Sequence, residues 1–300
     1  MDQSASRKSG NRFFDQEALR ISKPTRWWPI ILLLAGCSAA GVPEARHASI
    51  VSTNPCADAI LMEVAPHARI AAISHYSRDP GSSSIDPALA RRFRATAGTA
   101  EEVVTLRPDL VIFGRFEPAA SRKAYARAGI RTLAVDTPAT LSEVRAQVMT
   151  IAEAIGEPAR GRALVARIDA AAAAALPPPG TAPVPALLWH AGGLVSGAGT
   201  LDDSLMRHAG FRNAAADYGL AFTGYLPLDQ VVSAPPKVML VPPASRGSDD
   251  ESRMRTMRER AFARIGKAVE ADFPEHLSWC AGPVVIPALR RLAEIRKEIG

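Results

Sequence analysis

Two acids stand at matching places in a twelve-residue pattern that occurs twice. Glu101-Glu102-Val103-Val104-Thr105-Leu106-Arg107-Pro108-Asp109-Leu110-Val111-Ile112 is echoed without a gap by Asp229-Gln230-Val231-Val232-Ser233-Ala234-Pro235-Pro236-Lys237-Val238-Met239-Leu240. Each copy is an acid, a Val-Val pair, a proline and an aliphatic strand. Such a duplication predicts two similar α/β lobes carrying one carboxylate at the same spot. A carboxylate just inside a helix N-terminus gains about 0.3–1 kcal/mol from the helix dipole, so either acid alone reads as a cap.

Other chemistry is thinly supplied. A serine nucleophile on a strand-to-helix turn needs Gly-x-Ser-x-Gly, and Gly192-Gly193-Leu194-Val195-Ser196-Gly197 lacks the glycine two before the serine. No Gly-x-Gly-x-x-Gly and no phosphate loop ending Gly-Lys-Ser/Thr occurs. The six histidines, at 47, 67, 75, 190, 208 and 276, show no pair at ligand spacing, and no Cys-x-x-Cys is present. The chain is read as a non-enzyme with no catalytic residue, no bare-metal site and no intrinsic cofactor.

Composition fits a folded chain of one large or two modest cores, with 47% hydrophobic and 22% charged residues. The net charge of +6 is partly a property of the first 36 residues, whose six basic side chains face three acids; the remainder holds 30 basic against 27 acidic residues. That small, scattered excess excludes nucleic acid as a partner. The early basic stretch runs into Trp27-Trp28-Pro29-Ile30-Ile31-Leu32-Leu33-Leu34-Ala35-Gly36-Cys37, an apolar run too short to span a bilayer and of signal-peptide length. Leu34-Ala35-Gly36-Cys37 is similar to a bacterial lipobox, which makes 1–36 a lipoprotein signal peptide, Cys37 the lipidated residue and 37–47 a tether. Export permits Cys56 and Cys280 to pair, but spacing alone favours two buried free thiols.

Alternating elements then set the frame. Strands are predicted at 50–52, 70–73, 110–113, 132–135 and 185–189, and helices at 57–64, 121–128 and 202–209. Leu141, Val144, Val148, Ile151 and Ile155 mark a helical stretch, and Pro158 opens another that ends before Pro177. At about 1.5 Å per residue, that second helix is about 27 Å long and can cross between lobes. The predicted fold is α/β, with two Rossmann-like lobes at 48–157 and 178–300, one long helix at 158–177 between them, and a ligand cleft between the lobes. A terminal helix is expected at 288–299.

An exported, lipidated chain of this layout resembles the substrate-binding proteins of ABC importers for cobalamin and ferric siderophores. The resemblance covers about 46–296 and is carried by 69–77, 98–112, Gly224-Tyr225-Leu226-Pro227-Leu228-Asp229 and Trp279-Cys280-Ala281-Gly282-Pro283. It implies a periplasmic, membrane-anchored monomer that captures a corrinoid or ferric chelate and delivers it to the permease subunits. In that family an acid on each lobe docks onto permease arginines, a role that falls here on Glu101 and Asp229, the second one methylene shorter than the usual glutamate. A membrane-tethered sensor or adaptor on the same scaffold, or a binder of haem or another metal chelate, is the alternative.

Ligand in such a fold lies past the C-terminal ends of the strands. The loops there offer His75, Tyr76, Arg115 and Phe116 from the first lobe, and Trp189, His190, Tyr225, Arg246 and Trp279 from the second. Aromatic rings suit a large conjugated ligand, and the arginines suit its carboxylates or phosphate. Trp189 and Phe113 read equally well as core residues at strand ends. His75 and His190 singly read as hydrogen-bonding wall residues, and together they could coordinate a chelated metal.

Overall fold

The computed structural model describes residues 49–243, 256–257, 259–261, 263 and 268–300; the leader, Cys37, the tether, His47 and Arg246 lie outside the described residues. The chain enters β1 (Ile50–Ser52) and turns at once into α1 (Pro55–Val64). That turn is local chemistry: Asn54 Oδ1 accepts from the backbone N–H of Cys56 and of Ala57, each at 2.9 Å, and Pro55 suits the first helical position. β2 (Ile70–Ser74), α2 (Pro87–Ala90), β3 (Ala95–Thr96), α3 (Ala100–Thr105), β4 (Leu110–Gly114), α4 (Ala119–Arg127) and β5 (Arg131–Val135) follow. All five strands are parallel, in the order β3-β2-β1-β4-β5.

α5 (Leu141–Ala154) and α6 (Pro158–Ala175) then carry the chain to a second sheet. It comprises β6 (Val184–Leu188), β8 (Phe211–Asn213), β10 (Val238–Val241) and β11 (Val269–Asp272), again parallel, in the order β11-β10-β6-β8. Between these strands lie β7 (Leu194–Val195), α7 (Leu201–His208), β9 (Gly224–Tyr225) and α8 (Leu228–Ser233), with β7 antiparallel to β9, and α9 (Val285–Glu298) closes the chain. Read from β8, the second sheet repeats the β2-β1-β4-β5 part of the first. The short strands β3, β8, β9 and β11 carry too little periodicity to be seen in the sequence.

Strand alternation sorts the core into three parts. Ile50, Leu110 and Ile112 of the first sheet and Ala186, Leu188, Val238 and Leu240 of the second share one apolar cluster with Ile60, Val148, Leu164, Ile168, Leu205 and Leu292 of the helices. Their neighbours of opposite parity face outward into separate clusters: Val51, Val111 and Phe113 with Tyr125, and Leu187, Trp189, Met239 and Val241 with Leu226. The two lobes therefore share a core. α6 runs through it with α5 on one side and α9 on the other. Gly161 permits the close crossing, since a Cβ there would stand 2.5 Å from Ala152 Cβ.

The cysteines differ from the free thiols that their spacing favoured. Cys56 and Cys280 form a disulfide, with Cα atoms 4.9 Å apart and 224 residues of separation. Only the fold brings them together, because α1 packs where the segment before α9 passes. At Gly282 (φ +90) a Cβ would lie 2.6 Å from Ile60 Cγ1, so that segment sits directly on α1. In the chain-entropy treatment, closing so long a loop destabilises the unfolded state by about 5 kcal/mol. The double variant Cys56→Ser/Cys280→Ser is therefore expected to melt several degrees below the oxidised chain in a circular-dichroism scan, and reduction of the native chain should reproduce the drop. Equal melting temperatures would show that the bond contributes nothing to stability.

Candidate functional site

Parallel strands place every C-terminal strand end of a sheet on one edge. In the first sheet that edge carries Cys56, the 3-10 turn His75–Arg78 after β2, and Arg115 and Phe116 after β4. The second sheet's edge carries Trp189 and His190 after β6 and the turn Glu275–Leu277 with Trp279 after β11. Besides the Cys56–Cys280 bond, the Ser84 hydroxyl donates to the His276 carbonyl at 2.5 Å. The two edges thus meet, and the loops around that meeting point form the candidate site.

On the first lobe His75 stacks on Tyr76, with ring centroids 4.0 Å apart, and its Nδ1 lies 3.2 Å from the Thr96 carbonyl. Arg78 donates to the Phe93 carbonyl and so braces the same turn. Arg115 is held by Asp136 at 3.2 Å, and its guanidinium lies 5.4 Å from the Phe116 ring centroid. Tyr76 is 52% exposed and Phe116 86%. A cavity of about 440 Å³ lies on the flank of this lobe, lined by Arg115, Asp136, Thr137, Glu143, Gln147 and Thr150.

The second lobe corrects one assignment. Trp189 is only 5% exposed and packs with Leu187, Val195 and Met239, because it continues the outward parity of Leu187; it belongs to the core and not to the cleft wall. His190, one step on, takes the opposite direction. Its Nε2 lies 2.9 Å from the Ser196 hydroxyl, which donates to Asp202 Oδ2 at 2.7 Å. With the serine proton directed at the carboxylate, the imidazole N–H donates to Ser196, and the three side chains fix the orientation of the ring. Tyr225 is 75% exposed on β9 opposite Leu194, and Trp279 is 42% exposed beside the disulfide.

Three participants escaped the sequence reading. Phe222 is 60% exposed, and its carbonyl lies against Gly197, where a Cβ would come within 2.1 Å. Its signal was a ring between two glycines, in Gly219-Leu220-Ala221-Phe222-Thr223-Gly224. Asp202 holds Ser196 and, through it, His190. Asp58 is a buried carboxylate under the His75–Arg78 turn, and its signal was an acid among Ala57, Ile60 and Leu61 on a buried helix face.

The paired acids occupy equivalent places. Glu101 is the second residue of α3 and Asp229 the second of α8, both exposed, and β4 and β10 begin equally far beyond them. Thr105 and Ser233 donate back to the carbonyls of Glu101 and Asp229, each at 2.7 Å. The caps differ, for Thr99 accepts from the Glu102 N–H whereas Pro227 makes no side-chain cap. Among the described residues no three His, Cys, Asp or Glu side chains converge as a bare-metal site, and no helix is long and apolar enough to cross a membrane.

Comparison with known proteins agrees with this architecture. No curated protein sequence matches the chain. Among solved structures, the periplasmic haem-binding protein RhuT of Roseiflexus sp. RS-1 superposes with a TM-score of 0.64 at 23% identity, covering 84% of this chain and 97% of that one. The periplasmic haem-binding protein HutB of Vibrio cholerae gives 0.65 at 17%, covering 83% and 99%, and one from Pseudomonas aeruginosa gives 0.62 at 19%, covering 83% and 92%. At these identities the likeness is one of fold. The family of periplasmic binding proteins itself matches residues 50–272, most of the chain. The chain belongs to the periplasmic binding protein family, as the resemblance in its sequence implied.

Proposed function

We propose that the chain is the lipid-anchored binding component of an ABC importer and that it takes a metal chelate between its lobes, planar haem before a corrinoid or ferric siderophore. The observation that carries this reading is the set of large rings left in water around the meeting edges: Tyr76 and Phe116 from one lobe, Phe222, Tyr225 and Trp279 from the other. Folding ordinarily covers such rings, and a cluster of them at a cleft is suited to a flat apolar face. Arg115 supplies a cation for a carboxylate of the ligand. Cobalamin and ferric siderophores arrive with the metal coordinated by their own atoms, whereas haem iron has axial positions that a histidine or tyrosine fills. Exposed His75, Tyr76 and Tyr225 are donors of those kinds, and solved relatives of this fold are described as haem-binding. Delivery would use Glu101 and Asp229 as a two-point contact with permease arginines, and Cys37 as the acylated anchor.

Titration of the chain with haemin is expected to give a saturable shift of the Soret band, and one of Tyr76→Phe, Tyr225→Phe or His75→Gln should change that spectrum and weaken binding at least tenfold. Binding of cyanocobalamin or a ferric siderophore without haemin would move the ligand within the class, and failure of all three would favour the tethered sensor. The double reversal Glu101→Lys/Asp229→Lys should abolish uptake in cells with ligand affinity unchanged; undiminished uptake would sink the docking role. Cys37→Ser should release the protein from the membrane fraction, and a variant that still sediments with membranes counts against the anchor.

A further inference from the structure

The His75–Arg78 turn is held from below by a buried carboxyl group, that of Asp58. Asp58 is fully buried in the first turns of α1, on a face it shares with Ala57, Ile60 and Leu61. An acid in such a place is costly unless its oxygens are satisfied. One oxygen, Oδ2, accepts from the Ser74 N–H at 2.9 Å and from the Ser77 hydroxyl at 2.6 Å. The other, Oδ1, is buried and has no hydrogen-bond partner among the described residues. The two bonds bracket His75 and Tyr76, so one carboxylate oxygen pins both ends of the segment that presents them.

We propose that Asp58 is a positioning residue for ligand binding: its carboxylate fixes the turn that presents His75 and Tyr76, and taking up a proton loosens that turn. This rests on the reading that the turn touches the ligand. The environment of Asp58 supports proton uptake near neutrality. Burial raises its pKa to about 7, against the opposing effect of the nearby Ser52 hydroxyl and of the bonds from Ser77 and Ser74. Its surroundings among the described residues are polar and uncharged: β1 brings Ser52, β2 and its turn bring Ser74 and Ser77, and Cys56 is in the disulfide. Of the helices packed on α1, α6 brings Arg167, which is held by Glu63 toward the far end of α1 at 2.7 Å. The turn's own ionisable groups are engaged elsewhere, His75 at the Thr96 carbonyl and Arg78 at the Phe93 carbonyl.

Above about pH 7 the bonds to Oδ2 are charge-assisted and strong. Below it the proton sits on the unpartnered Oδ1, and the bonds to Oδ2 become ordinary neutral ones. The unfolded chain releases this proton near 3.8 and the folded chain holds it to about 7, so the folded state binds more protons in that window. Stability contributed by Asp58 therefore falls as pH rises from about 4 to about 7 and is level above it. The form that positions the turn best is thus the less stable one, a trade common at functional sites.

Haemin titrations of the full chain across neutral pH test the proposal. Affinity should fall roughly fivefold as the pH drops through about 7. Asp58→Asn should abolish that step and bind at the weaker, low-pH level, whereas a His75→Gln background should keep the step. Ser77→Ala, which leaves α1 untouched, should weaken binding at high pH and covers the case in which Asp58→Asn does not fold. Hydrogen–deuterium exchange of the ligand-free chain gives a readout independent of haemin: at fixed pH, Asp58→Asn should speed exchange in 74–78 and not in β5. Faster exchange without haemin binding would uphold the positioning role and remove only the ligand assignment. Unchanged exchange in 74–78, or a pH step that survives Asp58→Asn, overturns the proposal.

Discussion

The first turns of α1 are where the molecule is tied together. Cys56 bonds covalently to Cys280, Ile60 lies against Gly282, and Asp58 accepts from the Ser74 N–H and the Ser77 hydroxyl on either side of His75 and Tyr76. Because α1 begins directly after β1, these ties fall on the edge where the loops of the candidate site gather. The shared core between the sheets does the rest, since Leu164 and Ile168 of α6 pack with residues of both lobes. A binding protein tied by a helix, a core and a disulfide has little freedom to swing open widely. Loop and side-chain movement at the cleft, more than rigid rotation of the lobes, is the motion this arrangement leaves available.

The internal duplication is close in topology and loose in detail. α3 leads into β4 as α8 leads into β10, and both sheets keep the same strand order through the shared four positions. The exits from the helices differ. Arg107 adopts φ +47, a left-handed conformation that costs a non-glycine residue roughly 1 kcal/mol, while the matching Pro235 is barred from it by its ring. The two acids therefore share an address without sharing a surrounding loop, and Asp229 is the shorter of the two.

Part of the candidate site was legible because it follows from strand ends. Tyr76 and Phe116 lie past β2 and β4, strands that the sequence shows, and both are exposed there; Tyr225 and Trp279 are exposed as well, but one sits on β9 and the other follows β11, strands too short to be read from the sequence. Trp189 shows the limit of that rule, since a residue one step past a strand still obeys the strand's alternation, and Leu187 had already set its direction. Phe222 was missed for the opposite reason: it lies on an irregular loop with no period to place it. Asp58 was hidden because an acid on a buried helix face looks like an exception to a pattern, and its partners come from a different strand and turn.

The sequence by itself determined the alternation of strands and helices, the duplication with its two acids and the family to which they point. Each of these is written in neighbouring residues, where spacing of two or of three to four dictates which side chains share a face. Tertiary structure alone decided that Cys56 meets Cys280, that α6 lies in a core common to both lobes, and which rings stay in water. Those outcomes depend on packing between segments far apart in the chain, and local periodicity carries no information about which distant surfaces will fit.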